Sequence, residues 1–390
     1  MKRQLLGVAA ILLSISTYAQ DNPLWMRYCA ISPDGTTIAF TYKGDIYTVP
    51  STGGRASQIT TNPAHDTKPI WSPDGKKIAF ASDRMGSMDI FEVNKEGGIP
   101  KRLTTHSGNE TPVAYKDAGH ILFLANIMPT VEDAQFPSGQ FQQVYEVNTE
   151  GGRPALFSSM PMEDISINHT GNTLLYHDKK GYEDPWRKHH TSSITRDIWL
   201  CSLNGNRTFR KQTTFNGEDR TPVWASDDKS FYYLSEEKGS FNIFKRDIDG
   251  NTSKQITNHT KHPVRFLSAA SNGTLCYGYD GEIYTVKEGA IPQKVQISIV
   301  TDKNDKDLIR QIKRSGATEI SLSPDAKEIA FVLRGDVYVT STEYSTTKQI
   351  TNTPQQERDI HFSPDGRSIV YASERNGLWQ IYQTSLAKKE

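Results

Sequence analysis

The chain has 390 residues, 45 basic against 45 acidic, and three cysteines. That length allows more than one domain. Balanced charge excludes the basic footprint of a nucleic-acid or anionic-membrane binder, and an odd cysteine count gives no disulfide framework.

The N-terminus reads as a secretory signal. Lys2 and Arg3 form a basic start, Leu5 to Ile15 a short apolar run, and Thr17-Tyr18-Ala19 a small-residue cleavage site before Gln20. The apolar run is too short for a stable span. The expected boundaries are a signal peptide at 1–19 and a mature protein that is periplasmic or extracellular.

From Tyr28 onward one phrase recurs at a period of about 40 residues, the signature of repeated supersecondary units. Ser32-Pro33-Asp34-Gly35 precedes Ile38-Ala39-Phe40, and Ser72-Pro73-Asp74-Gly75 precedes Ile78-Ala79-Phe80. Ser323-Pro324-Asp325-Ala326 and Ser363-Pro364-Asp365-Gly366 repeat the pattern. Pro sets φ for the turn, Asp bonds its own backbone, and Gly tolerates positive φ. Each turn is followed by an apolar strand. A third strand then carries Asp-Ile-Tyr or its equivalent (Asp45, Asp89, Asp197, Asn242, Glu282, Asp336, Gln380), and a short closing strand ends in threonine, as in Gln58-Ile59-Thr60. Eight such units start near Tyr28, Lys68, Thr111, Glu163, Thr221, Pro263, Thr318 and Arg358. Four-stranded antiparallel units in series predict a β-propeller in an all-β chain. Cys29, Cys201 and Cys276 fall in these strands, where a buried cysteine acts as a small hydrophobe.

Three segments break the period. Residues 126–142 and 179–196 are insertions into the third and fourth units, at loops that commonly carry recognition. The second is dense in Trp, Arg, His and acidic residues. The third break, 299–316, is charged and poor in apolar residues, as a linker is. It follows six units and precedes two fresher ones. The expected organisation is therefore a six-bladed β-propeller at 20–298, a linker at 299–316, and the first two blades of a second propeller at 317–390. A single eight-bladed ring is the rival. Two blades cannot close a ring, so a longer natural protein is expected.

No nucleophile elbow, His-Glu-x-x-His, phosphate-binding loop, dinucleotide fingerprint or Cys-x-x-Cys is present. His177, His189 and His190 lie near Asp178, Glu183 and Asp184, at a spacing that matches no metal-ligand pattern. No catalytic residue, metal or cofactor is expected from this chain. Candidate contacts at the channel rim are Tyr182, Trp186, Arg187, His189, His190 and Arg196; Arg187 could grip a peptide carboxylate in bidentate fashion. Channel-lining strands are expected at Ala30-Ile31, Ile70-Trp71, Ile165-Ser166 and Val223-Trp224.

The Ser-Pro-Asp-Gly units resemble the propeller repeats of TolB and of tricorn-type proteases. The stretch from Gly181 through Tyr182, Trp186, His189 and His190 to Thr195-Arg196-Asp197-Ile198-Trp199 resembles the first propeller of secreted bacterial tricorn homologues. The resemblance covers nearly the whole mature chain. It implies two propellers that filter peptides for a PDZ domain and a serine-peptidase core, both outside this sequence. The implied partners are peptides or unfolded proteins, those PDZ and peptidase domains, and further copies of the chain; nucleic acid and a membrane span are not among them. The alternative is a stand-alone periplasmic protein-binding propeller like TolB. That reading meets the absence of an α/β domain before the repeats.

Overall fold

The computed structural model describes residues 23–127, 141–182, 184, 186, 191–300, 315–344 and 346–386. The expected signal peptide, most of the first insertion and most of the linker lie outside the described residues. Two compact units divide the chain at Thr301 and Asp302.

The first unit contains six four-stranded antiparallel sheets, each with its strands in chain order. The first blade is Arg27–Ile31, Thr37–Tyr42, Asp45–Pro50 and Ser57–Gln58. The innermost strands of the next five are Asp66–Trp71, Thr111–Asp117, Met162–Ile167, Asp219–Trp224 and Arg265–Ala269. Each innermost strand touches those of its two neighbours, and the sixth touches the first. Six hydrophobic cores fill the six seams between blades. The ring is therefore a closed six-bladed β-propeller.

The repeated turn does what its residues dictate. The Ser32 hydroxyl donates to Asp34 Oδ1 at 2.5 Å and accepts the Thr37 N–H at 3.0 Å. Ser72, Ser323 and Ser363 repeat both bonds. These serine bonds, with backbone N–H donors, hold the Asp34, Asp74 and Asp365 carboxyls below their usual range. The closing threonines accept a backbone N–H from the third strand. Ile46 donates to Thr60 at 2.9 Å, Ile90 to Thr104 at 2.9 Å and Ile198 to Thr213 at 3.0 Å.

Buried carboxylates open the innermost strands of the second, third and fifth blades: Asp66, Glu110 and Asp219. In the second blade Arg84 reaches back to both Asp66 oxygens at 2.9 Å and donates its Nε–H to Ser82 at 2.8 Å. The strand pairings place Ile127 at the Arg84 position of the third blade and Glu237 at that of the fifth. Without that arginine, burial pushes Glu110 and Asp219 up to about 7 each.

Ring closure uses no blade shared between the two ends of the ring, only a short two-stranded sheet and turn bonds. Ile297–Ser298 pairs in parallel with Gly54–Arg55 of the first blade, and Met26 N–H donates to Gly281 O at 3.1 Å. Gly53 has φ +92°, and a Cβ there would meet Gln296 O at 2.7 Å, so the seam needs glycine at that position.

The second unit holds a four-stranded sheet beginning at Ala317–Leu322 and a three-stranded one beginning at Glu357–Phe362, with one core between them. These sheets repeat the design of the blades in the first unit. Glu357 pairs with Arg375 at 3.5 Å, in the Asp66–Arg84 arrangement. Apolar side chains stand exposed on both sheets, Ile320 at 76% and Ile381 at 81%.

Candidate functional site

The innermost strands carry a repeated irregularity that re-aims their side chains. Each has a register shift near its start: between Arg27 and Ala30, Thr67 and Ile70, Glu163 and Ser166, Arg220 and Val223, Arg265 and Ser268. Within each shift one non-glycine residue takes a left-handed φ: Tyr28 (52°), Lys68 (54°), Asp164 (47°), Thr221 (52°) and Phe266 (56°). In the third blade the matching residue is Pro112, whose ring forbids positive φ, and the shift moves to between Pro112 and Ala114. A left-handed non-glycine residue costs of order 1–3 kcal/mol, and such strain clusters at functional sites. Five of them around one axis form a built feature of the ring.

All six positions line a cavity of about 700 Å³ where the innermost strands converge. Of the residues expected to line a channel, Ala30, Ile70, Ile165, Ser166 and Val223 do so. Ile31, Trp71 and Trp224 instead turn into the seams, because successive side chains of a strand alternate in direction. Trp71 Nε1–H donates to Ala30 O at 2.9 Å and Trp224 Nε1–H to Ser166 O at 3.0 Å, tying each blade to its predecessor.

Charge in the cavity is uneven. Lys68, Lys179, Arg196, Arg220 and Arg265 line it, against Glu163 and Asp164. Glu163 is the hub on one wall. Lys179 Nζ donates to Glu163 Oε1 at 2.6 Å, and Arg196 Nε lies 3.6 Å from Oε2. His177, buried beside them, accepts the Thr221 N–H at Nδ1 (3.3 Å), so its hydrogen sits on Nε2 and donates to Glu163 at 3.2 Å. Burial pushes the Glu163 carboxyl up, but His177 and Lys179 outweigh it and hold the group well below the usual range. Asp164 accepts from the Thr221 hydroxyl at 2.6 Å. Burial makes Lys68 a weaker base, while Asp164 and Glu163 partly restore it. Arg220 lies deeper, brought down to about 10 by burial, and stacks over Phe241 at 4.1 Å.

An aromatic rim stands beside this charge. Tyr28 and Phe266 rings are 4.8 Å apart, and Lys68 lies 5.7 Å over Tyr28. Trp186, from the insertion of the fourth blade, sits edge-on to Phe266 at 6.1 Å. Arg27 and Arg265 of the first and sixth blades lie over its ring at 5.0 and 5.1 Å, and Arg265 donates to its carbonyl at 2.9 Å.

Among the sequence candidates, Trp186, Tyr182 and Arg196 therefore line the cavity, Tyr182 at 87% exposure. Arg196 is buried, with Nη1 donating to Glu218 at 2.6 Å. Arg187, His189 and His190 lie outside the described residues. Lys68, Lys179, His177 and Arg265 were not singled out as rim contacts. The described residues hold no cluster of three or more metal-ligating side chains, and no helix among them is long and apolar enough to cross a membrane.

Residues 23–290 match the family model of the tricorn protease N-terminal beta propeller domain. The tricorn protease homolog 1 of Streptomyces coelicolor is 25% identical over 365 residues, 91% of this chain and 32% of that protein. A tricorn protease homolog of Saccharolobus solfataricus is 26% identical over 296 residues, 72% of this chain and 26% of that one. The crystal structure of the tricorn protease superposes with a TM-score of 0.65 at 19% identity, covering 93% of this chain and 36% of that one. The chain thus spans about a third or less of the length of these relatives.

Proposed function

Because the chain belongs to the family of the tricorn protease N-terminal β-propeller domain, we propose that its six-bladed ring is a non-catalytic module that admits and orients extended peptides for a peptidase core carried elsewhere in the full-length protein. The observation that carries this reading is the axial cavity of about 700 Å³, with five basic side chains against two acidic ones and an aromatic rim. A cavity of that volume is far smaller than a folded domain and suits an extended segment. Tyr28, Phe266 and Trp186 offer faces for apolar side chains, and Lys68 and Arg265 offer donors for a peptide carboxylate. Export across the inner membrane, directed by residues 1–19, completes the proposal and places the module with periplasmic peptides.

Isothermal titration of the whole chain with unstructured peptides of about ten residues tests it. Binding is expected for peptides with a free C-terminus. Truncating Arg265 to Ala or replacing Lys68 by Met should weaken it roughly tenfold or more, the cost of one charged hydrogen bond. Equal affinity in both variants, or equal binding of folded proteins, would contradict the reading.

A further inference from the structure

The seam between the sixth and first blades brings two of the three cysteines together. Cys29 lies in Arg27–Ile31, immediately after the left-handed Tyr28. Cys276 lies in Leu275–Tyr279, the second strand of the sixth blade, which packs against that innermost strand. Both are buried free thiols within one core, shared with Phe40, Tyr47 and Ile283. Their side chains lie close enough to interact directly, and the Cys29 thiol also donates to Phe266 O at 3.5 Å. Ser268, in register with Cys276, bridges the two backbones: its hydroxyl accepts the Ile31 N–H at 3.0 Å and lies 3.5 and 3.4 Å from the Cys29 and Cys276 carbonyl oxygens. Cys201 sits in another core, between the third and fourth blades.

This seam is the one that no connection between consecutive blades crosses. No strand from one end of the chain completes a four-stranded blade at the other. Beyond side-chain packing, a two-residue parallel pairing and a few turn hydrogen bonds span it, among them Ser271 N–H to Pro33 O at 2.9 Å.

We propose that Cys29 and Cys276 form a disulfide under oxidising conditions and so staple the ring shut across its seam. With glutathione disulfide as oxidant, one cysteine thiolate attacks the donor and releases one glutathione. The second cysteine then displaces the other glutathione, and the protein S–S bond forms. Two protein thiols give up two electrons and two protons, and the donor disulfide takes up both as two glutathione thiols. Burial, then the bond to Cys29, pushes the Cys276 thiol well above its ordinary range, so the closed ring reacts slowly. The bond is made while the seam is open, during folding or a transient opening. The loop it closes spans almost the whole ring, and long loops gain most from cross-linking.

The test is oxidative refolding of the whole chain in a glutathione redox mixture, followed by acid quench, denaturation, alkylation and peptide mapping by mass spectrometry. The expected product has Cys29 linked to Cys276, a mass lower by two hydrogens, and Cys201 as the single alkylatable thiol. Its urea midpoint for the ring should exceed that of protein refolded in reductant, and the difference should vanish in Cys276→Ala. The cross-link should persist in Cys201→Ala, which keeps the test decisive if Cys276→Ala fails to fold. Three alkylatable thiols, a pair that includes Cys201, or a linked pair with an unchanged midpoint would overturn the proposal.

Discussion

Arg84→Ala is expected to lower the unfolding free energy by about 3–5 kcal/mol, the range for removing one partner of a buried ion pair. Asp66 is fully buried and receives both of its 2.9 Å bonds from the Arg84 guanidinium. The same guanidinium stacks 4.6 Å over Phe91 and 5.5 Å over Phe80. Truncation therefore leaves a carboxylate in a dry seam and strips cover from two core rings. The double variant Asp66→Asn, Arg84→Met should regain much of the loss, because neither charge remains. Urea unfolding followed by tryptophan fluorescence reads both. A loss below about 1 kcal/mol for Arg84→Ala, the size of an exposed pair, would show that the bond carries little.

The second large effect concerns pH. Glu110 and Asp219 have folded pKa values raised to about 7 by burial, above their unfolded values near 4. For an acid shifted upward, the folded state binds more protons than the unfolded one between those limits. Stability therefore falls as pH rises from about 4 to about 7 and then levels off. Full development of each shift costs on the order of 3–4 kcal/mol. The depressed Glu163 acts oppositely: its contribution is present above its unfolded value and is lost on acidification below about 4.5. The account predicts a stability maximum near pH 5 and a marked decline by pH 8, measured by urea midpoints across pH. Glu237→Arg should flatten that decline. Glu237 stands where Arg84 stands in the second blade, and its charge adds to the repulsion on Asp219. A profile flat from pH 5 to 8 in the unmodified chain would contradict both assignments.

Much of this architecture was legible because turn chemistry repeats in sequence. Pro-Asp-Gly followed by Ile-Ala-Phe marks the first two strands of a blade, and the closing threonines mark its edge by their hydroxyl bonds to the third strand. The buried carboxylate and its arginine were equally legible and went unread. Asp66 and Arg84 stand 18 positions apart, and Glu357 and Arg375 repeat that interval. The cavity was harder to read. Its left-handed positions are Tyr28, Lys68, Asp164, Thr221 and Phe266, five residue types with no shared side-chain chemistry. What unites them is a place in the bulge, set by register and not by identity. The Cys29–Cys276 contact is invisible in sequence for a related reason: only closure of the ring brings its first and last blades together. Trp186, a candidate from the sequence, lies beside the cavity, but its partners Arg27 and Arg265 come from blades far along the chain.

The proposal that the axial cavity receives extended peptides is tested most directly by locating one. A decapeptide carrying a photoreactive phenylalanine analogue, irradiated with the whole chain and mapped by mass spectrometry, should cross-link to innermost-strand residues around Tyr28, Lys68, Thr221 and Phe266, and to Trp186. An excess of unlabelled peptide should abolish those links. Cross-links confined to the outer strands of the blades, with the axial residues unmodified, would contradict the account.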